Sequence, residues 1–175
     1  MKKVFILMLT LTFVFSSCSS NDDNLQQGSE FAMTAKINGV SFEANNSFDT
    51  NDFSSTNIYT YFPLTDYVML QARQGGLIGN PEINIWLKRT DIVVGTYQIT
   101  EETFSTPLSH FIDLTDNSNT ISEHTKQGVI IITEVNTSTK IVKGTFEFTT
   151  VDDLNNLSSP VDFDVTEGTF SYKYE

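Results

Sequence analysis

The stretch GVIIITEVNTSTKIVKGTFEFTT, residues 128–150, decides the fold, because it predicts two long strands joined by a short polar turn. Residues 129–132 are all β-branched, which favours a pleated strand over a helix. The side chains of residues 136–140, NTSTK, bond readily to nearby backbone and favour a turn. On the return strand Val142, Phe146 and Phe148 share one face, and polar residues dominate the other. We therefore expect an antiparallel hairpin with one apolar face for the rest of the chain to cover.

Other stretches of the chain show the same strand-and-turn pattern. Residues 31–44 predict a hairpin around Asn38-Gly39, a pair that suits a turn with two positive φ angles. Residues 109–114 and 120–125 predict a second hairpin, and residues 161–166 and 168–174 a last pair of strands. Helical periodicity is missing throughout. About ten short strands indicate an all-β domain, either an antiparallel β-sandwich or a barrel.

The N-terminus predicts a signal peptide that is removed from the mature protein. Lys2 and Lys3 precede an apolar run, VFILMLTLTFVF, at residues 4–15. This run is shorter than the ~20 residues that cross a bilayer as a helix. Ser16 and Ser17 are the small residues typical of a cleavage site, and Cys18 follows. We assign residues 1–17 to the signal peptide.

The position of Cys18 resembles the first mature residue of bacterial lipoproteins. That resemblance implies a diacylglycerol on its thiol, cleavage before it and acylation of the new amine, which together anchor the protein firmly in a membrane. Cys18 is the chain's single cysteine, so an intrachain disulfide is excluded. The alternative is an ordinary signal peptide with an incidental cysteine.

Residues 18–30 predict a lipidated, acidic and disordered tether before an all-β domain at residues 31–175. Asp22 and Asp23, soon after the cysteine, resemble the acidic export tag of surface lipoproteins in the Bacteroidota. The resemblance implies export and anchoring at the outer membrane. It leaves open whether the domain faces the outside or the periplasm.

Four segments together resemble a family of small flavobacterial-type Bacteroidota lipoproteins, an uncharacterised domain of unknown function. They are AKINGVSFEA at 35–44, GTYQIT at 95–100, GVIIITEVNTSTKIVKGTFEF at 128–148 and VTEGTFSYKY at 165–174. The resemblance covers most of the mature chain. It brings with it no known activity and no site residues.

Charge and motifs narrow the classes of function. The net charge is −12, and because a chain this acidic repels phosphate backbones we expect no nucleic-acid partner. The sequence has no G-x-S-x-G elbow, no H-E-x-x-H, no P-loop and no Rossmann glycine set. We therefore expect a protein that is not an enzyme and that uses no cofactor.

Several residues are candidate metal ligands, among them Asp49 with Asp52 and Asp152 with Asp153, which suit Ca²⁺. His110 and His124 would lie opposite each other if their hairpin were centred on Asn117, close enough to share a metal ion. Asp113 and Asp116 cluster with Asn117 and Asn119 in the same region, and oxygen ligands on a short loop suit Ca²⁺. The competing interpretations are two exposed histidines and ordinary polar turn residues.

Three aromatic residues are candidates for ligand binding. By strand parity Trp86 lies with Asn84 and Lys88 on the polar face of its strand, and Tyr59 and Tyr61 share a face opposite an apolar one. Exposed rings can stack on sugars or form a protein-binding patch. Otherwise a loop or neighbouring strand covers them.

We expect a lipid-anchored protein of the outer membrane, with its lipid at Cys18, whose all-β domain binds a glycan or protein ligand or has a structural role. Two alternatives remain. One is a small envelope hydrolase that uses paired carboxylates, and the other is a lipocalin-like carrier of an apolar ligand.

Overall fold

The computed structural model describes residues 31–46, 57–58, 66–100, 109–116, 121–152 and 158–174, which form an antiparallel all-β domain. The predicted fold class is confirmed. The ten strands are β1 Met33–Ile37, β2 Val40–Ala44, β3 Asn57–Ile58, β4 Tyr67–Arg73, β5 Glu82–Lys88, β6 Gly95–Ile99, β7 His110–Asp116, β8 Ile121–Asn136, β9 Ile141–Val151 and β10 Asp164–Lys173. Two short 3₁₀ turns lie at Gln74–Gly76 and Arg89–Asp91. The described residues contain no helix long and apolar enough to cross a membrane.

Eight of the strands form a nearly closed barrel. The sheet runs β2-β1-β10-β9-β8-β7-β5-β4-β3, and β6 pairs with β8 off this path. The two ends approach each other where Arg73 N donates to Asn46 O at 3.3 Å, and Gln74 Nε2 donates to Ser41 O at 3.4 Å. The sequence predicts either a sandwich or a barrel, and the chain forms a barrel.

The barrel encloses the apolar core. On the strands whose side chains the structure describes, alternate residues belong to the core, as Ile83, Ile85 and Leu87 do on β5. The largest of the fully buried side chains include Met33, Phe42, Leu70, Ile83, Ile85, Ile112, Ile130 and Tyr172. The Tyr172 hydroxyl donates to the Gln71 carbonyl on β4 at 3.2 Å and so ties two non-adjacent strands together across the interior.

The first and central hairpins confirm two sequence predictions. Asn38 and Gly39 have φ angles of 49° and 78°, which are the positive values expected of the turn. Strands β8 and β9 form the long hairpin. At its turn the Asn136 side-chain oxygen accepts from the backbone N–H groups of Ser138 at 3.0 Å and Thr139 at 2.9 Å.

Two predicted strand breaks are wrong, and a β-bulge explains each. The expected pair at residues 161–166 and 168–174 is one strand, β10, with its register shift between Val165 and Gly168, where Glu167 has a φ of 53°. The separate strands expected at 120–125 and from 128 onward are one strand, β8, with a bulge between Thr125 and Gln127. A bulge bends a strand without ending it, so a polar residue and a glycine can look like a turn.

Candidate functional site at the barrel mouth

One end of the barrel, here called the barrel mouth, gathers acidic residues from neighbouring strands. Glu123 lies near the start of β8, Asp152 directly follows β9 and Asp162 precedes β10. One carboxylate oxygen from each of these three residues lies within 4.8 Å of the other two. Asp116, the last residue of β7, lies close enough to raise the pKa of Glu123. We call Glu123, Asp152 and Asp162 the mouth cluster.

Glu123 points toward the barrel interior because of its register. It pairs with Leu114 on β7, and directly opposed residues on antiparallel strands point to the same face. Leu114 belongs to the core and is 1% exposed, and Glu123 itself is only 8% exposed. The Glu123 Oε2 atom is buried and has no hydrogen-bond partner. Asp152 and Asp162 are exposed, so the cluster connects a buried carboxylate with solvent.

The β1–β2 turn holds Asp162 in place. The Asn38 amide donates to the Asp162 carbonyl at 3.1 Å, and its oxygen accepts from the Asp164 N–H at 2.8 Å. On the other side, Asp162 N donates to Thr150 O at 3.0 Å. The backbone at Asp162 is therefore fixed from two neighbouring strands while its side chain stays with the cluster.

Electrostatics in the mouth cluster favour a bound proton or a bound cation. Burial is the largest of the causes that raise the pKa of Glu123 from 4.5 to about 7, and the neighbouring carboxylates raise it further. Burial, followed by the charge of Asp152, raises the pKa of Asp162 as well. Like charges at this spacing repel one another, and the repulsion is strongest where water is partly excluded.

A second polar arrangement lies on the outer face of β5 and β7. Asp113 is 5% exposed, and it accepts from Asn84 Nδ2 at 2.9 Å and from Trp86 Nε1 at 2.6 Å. Burial raises the pKa of Asp113 to about 6, although both hydrogen bonds oppose the shift. The Asn84 Oδ1 atom is buried without a hydrogen-bond partner. These groups form a buried polar network rather than an open site.

Trp86 lies on the face that strand parity predicted, and it is 7% exposed. Its ring stacks on Phe111 with centroids 5.3 Å apart, and Tyr67 meets Phe111 edge-on at 5.2 Å. Met69 completes this small apolar cluster outside the barrel. Trp86 therefore does not offer a free ring to a ligand in this conformation.

The structure separates the two histidines. Thr115 pairs with Ser122, whereas a hairpin centred on Asn117 would place residue 119 opposite Thr115. His110 instead pairs with Leu87 on β5, and His124 pairs with Val151 on β9. His110 is 1% exposed, its Nδ1 accepts from Lys88 N at 3.2 Å, and its ring lies edge-on to Tyr97 at 4.1 Å. Of the four candidates in this hairpin, Asp116 lies close enough to the mouth cluster to raise the pKa of Glu123, and His124 directly follows Glu123 on β8.

Several candidates lie outside the described residues. They are Cys18, Asp22, Asp23, Asp49, Asp52, Tyr59, Tyr61 and Asp153. The sequence pattern indicates neither Glu123 nor Asp162 as a site residue. Glu123 is unusual because it is an acid at an inward position of a strand. Its inward direction can be recognised only once its pairing with Leu114 is known.

The described residues also form two shallow grooves on the outside of the barrel. A groove of about 590 Å³ is bordered by β6, β8, β9 and the start of β10, with Gln98, Gln127 and Glu147 among its lining residues. A smaller groove of about 410 Å³ lies on the outer face of β8–β10, beside Ile131, Thr145 and Thr169. Each presents a mixture of polar and apolar side chains to solvent.

A family model described as "Domain of unknown function (DUF6252)" matches residues 29–172. The chain belongs to the DUF6252 family. The match to DUF6252 contains the mouth cluster and every strand except the last residue of β10, and it begins two residues before the predicted domain start at residue 31. Neither a curated protein nor a solved structure matches the chain.

Proposed function

We propose that this DUF6252 protein is a lipoprotein of the cell envelope, anchored through a diacylglycerol on Cys18, whose barrel binds a ligand or has a structural role. The observation that carries the proposal is the N-terminal sequence, where a positive region, an apolar run and two serines lead to the chain's one cysteine. The family match begins at residue 29, which supports a tether between the lipid and the barrel.

Metabolic labelling with a palmitate analogue tests the anchor. We expect the wild type to carry the label in the membrane fraction and Cys18→Ala to lose it, because the thiol is the attachment point. Ser20→Ala changes a residue of the same tether and keeps its label. An unlabelled wild type, or a labelled Cys18→Ala, contradicts the anchor.

The outer membrane is the proposed location, with Asp22 and Asp23 as the export tag. Protease treatment of intact cells tests the tag: a surface protein is shaved, and the double variant Asp22→Ala/Asp23→Ala becomes protected. Glu30→Ala removes an acid from the far end of the same tether and stays accessible. A wild type that resists the protease places the domain on the periplasmic side.

The outer grooves support a binding role for a glycan or a protein. Both are bordered by Val129 and Glu147, whose side chains are at least partly exposed to solvent. The interior supports a carrier of apolar ligands less well, because aromatic side chains occupy it. Phe42, Phe170 and Tyr172 are each at most 3% exposed.

One observation favours the hydrolase as a second candidate function. Glycoside hydrolases use a pair of carboxyl groups, one with a raised pKa as the acid. Glu123 has such a pKa, about 7, and lies beside Asp152 and Asp162. Screening chromogenic glycosides tests this candidate: turnover by the wild type that Glu123→Gln abolishes supports it. Turnover that survives in Glu123→Gln excludes the mouth cluster as its source.

A further inference from the structure

We propose that the mouth cluster is a calcium site, in which carboxylate oxygens of Glu123, Asp152 and Asp162 bind one Ca²⁺ ion. The site sits where three neighbouring strands of the barrel, β8, β9 and β10, reach the same end. Pairing across the sheet brings the acids together although 39 residues separate the first from the last in sequence.

The spacing of the oxygens suits a shared ion. Calcium binds oxygen at about 2.3–2.6 Å, so two oxygens on opposite sides of one ion lie at most about 5 Å apart. The three carboxylate oxygens fall within 4.8 Å of one another. Asp152 and Asp162 are exposed, which gives an ion from solvent a path to the buried Glu123.

The second, independent observation is the buried end of Glu123. Its Oε2 atom has no hydrogen-bond partner, although the residue is 8% exposed and points into the barrel opposite Leu114. A buried carboxylate oxygen without a donor is costly, since it has lost its water and gained no hydrogen bond. Asp162 can hydrogen-bond Glu123 only while one of the two carboxyl groups is protonated. When both are ionised, a cation held jointly with Asp152 and Asp162 supplies the missing interaction.

The chemistry of the ligands favours calcium among the divalent ions. Carboxylate oxygens suit hard cations, whereas zinc and copper prefer nitrogen and sulfur ligands. Magnesium requires near-ideal octahedral geometry at shorter distances, and three acids from separate strands impose no such geometry. Asp116 adds negative charge nearby, and Asn38 fixes the backbone at Asp162. Water molecules would complete the shell, which points to an affinity in the 10⁻⁴–10⁻³ M range of extracellular modules.

Thermal unfolding of the purified full chain, in detergent where it carries lipid, tests the site with CaCl₂ as the probe. At pH 8 we expect about 10 mM CaCl₂ to raise the midpoint by about 5 °C over EDTA, because an ion bound to the folded state stabilises it. The same concentration of MgCl₂ should raise it less. A wild type whose midpoint does not respond to calcium overturns the proposal and leaves a proton as the occupant of the cluster.

Two variants assign the response to the cluster. Glu123→Gln should lose the calcium shift, and its midpoint in EDTA should equal or exceed that of the wild type because a like charge is gone. Asp162→Asn changes an exposed side chain, and we expect it to weaken calcium binding about tenfold or more. If Glu123→Gln fails to fold, the calcium response of Asp162→Asn tests the assignment to the mouth cluster by itself.

Glu134→Gln is the matched control. It makes the same change on the same strand, β8, at an exposed residue that pairs with Lys143 at 2.9 Å, and it should respond to calcium like the wild type. A normal response in Glu123→Gln, or in Asp162→Asn, overturns the assignment. The result does not depend on lipid at Cys18, so the anchor and the calcium site can fail separately.

Discussion

The ring of Phe170 on β10 lies against Gly144, the residue directly opposite it on β9. A Cβ atom added to Gly144 would come within 2.5 Å of Phe170 Cζ and would also collide with the backbone carbonyl of Ile131. Two residues farther along the same pair of strands the roles are exchanged, and Phe146 on β9 lies against Gly168 on β10. Each glycine thus leaves room for the aromatic residue of the neighbouring strand.

The replacement Gly144→Ala should therefore destabilise the barrel by roughly 3 kcal/mol, since the backbone carbonyl of Ile131 cannot move aside as a side chain can. The loss corresponds to a fall of about 5–10 °C in the unfolding midpoint. Thermal or urea unfolding measures it.

Gly95→Ala is the control for this substitution, because Gly95 begins the similar Gly-Thr-aromatic segment on β6. The three atoms nearest to its added Cβ would all belong to the Tyr97 side chain, at 3.3 Å or more. A change within about 0.5 kcal/mol is expected there. Equal losses at Gly95 and Gly144 would show that the close approach of Ile131 and Phe170 to Gly144 is not the cause.

Asp113 offers a prediction about buried charge. Asp113→Asn should be at least as stable as the wild type at pH 8, because it removes a buried carboxylate. The oxygen of the new amide can still accept from Trp86 Nε1. Asn84 Oδ1 has no hydrogen-bond partner in the wild type. If the Asn84 amide rotates by half a turn, this oxygen can accept from the new NH₂ group. Denaturant unfolding at pH 8 measures the difference.

Asp113→Leu distinguishes charge from hydrogen bonding at the same position. It removes the acceptor of both Asn84 Nδ2 and Trp86 Nε1, and each loss of a buried partner costs about 1–3 kcal/mol. We expect a total loss of about 3 kcal/mol. If Asp113→Asn is destabilised as much as Asp113→Leu, the carboxylate itself is required, and the proposed turn of Asn84 is wrong.

Much of the fold follows from local pattern. The turn at Asn38-Gly39, the β8–β9 hairpin and the inward face of β5 depend on residues close in sequence, so the chain reveals them directly. The two bulges cannot be predicted from local sequence, because each is one extra residue whose effect depends on the partner strand. Barrel closure depends on the hydrogen bonds of Arg73 and Gln74 to Asn46 and Ser41, residues far away in sequence, which no local pattern encodes.

The candidate site is harder to predict than the fold for the same reason. A shift of one or two residues in register decides which side chains meet. Centring the hairpin on Asn117 opposes His110 and His124, whereas the actual pairing of Leu114 with Glu123 turns an acid inward. The mouth cluster depends on three such registers at once, on β8, β9 and β10.

Asn38 should contribute to stability through its side chain as well as its turn. Asn38→Gly keeps the positive φ of 49° but removes the hydrogen bonds to Asp162 O and Asp164 N. A loss of about 1–2 kcal/mol in unfolding free energy is expected, with a weaker response to calcium because Asp162 is less firmly placed. Gly39→Ala, at a φ of 78°, strains the turn but keeps the Asn38 side chain, so it should reduce calcium affinity less than Asn38→Gly does. Equal calcium affinity in Asn38→Gly and the wild type would show that Asn38 does not position the site.

His110 and Asp113 should give opposite pH dependences that partly cancel. Burial lowers the pKa of His110 from 6.5 to about 4, so the unfolded chain takes up a proton first as the pH falls. The stability that the neutral His110 contributes is complete above pH 6.5 and is lost as the pH falls toward 4.

For Asp113, burial raises the pKa from 3.8 to about 6, so the folded chain takes up the proton first, and stability rises as the pH falls from 6 toward 3.8. The shift at each residue corresponds to at most about 3 kcal/mol.

Urea unfolding from pH 4 to pH 8 separates the two contributions. His110→Asn keeps an acceptor near the position of Nδ1 for the Lys88 N–H and does not titrate, so it should become more stable relative to the wild type as the pH falls below 6.5. Asp113→Asn should become less stable relative to the wild type as the pH falls below 6, because its advantage over an ionised carboxylate disappears. Comparing each variant with the wild type at the same pH cancels the other acids, including those of the mouth cluster. Differences that do not change with pH would show that neither residue titrates within this range in the folded barrel.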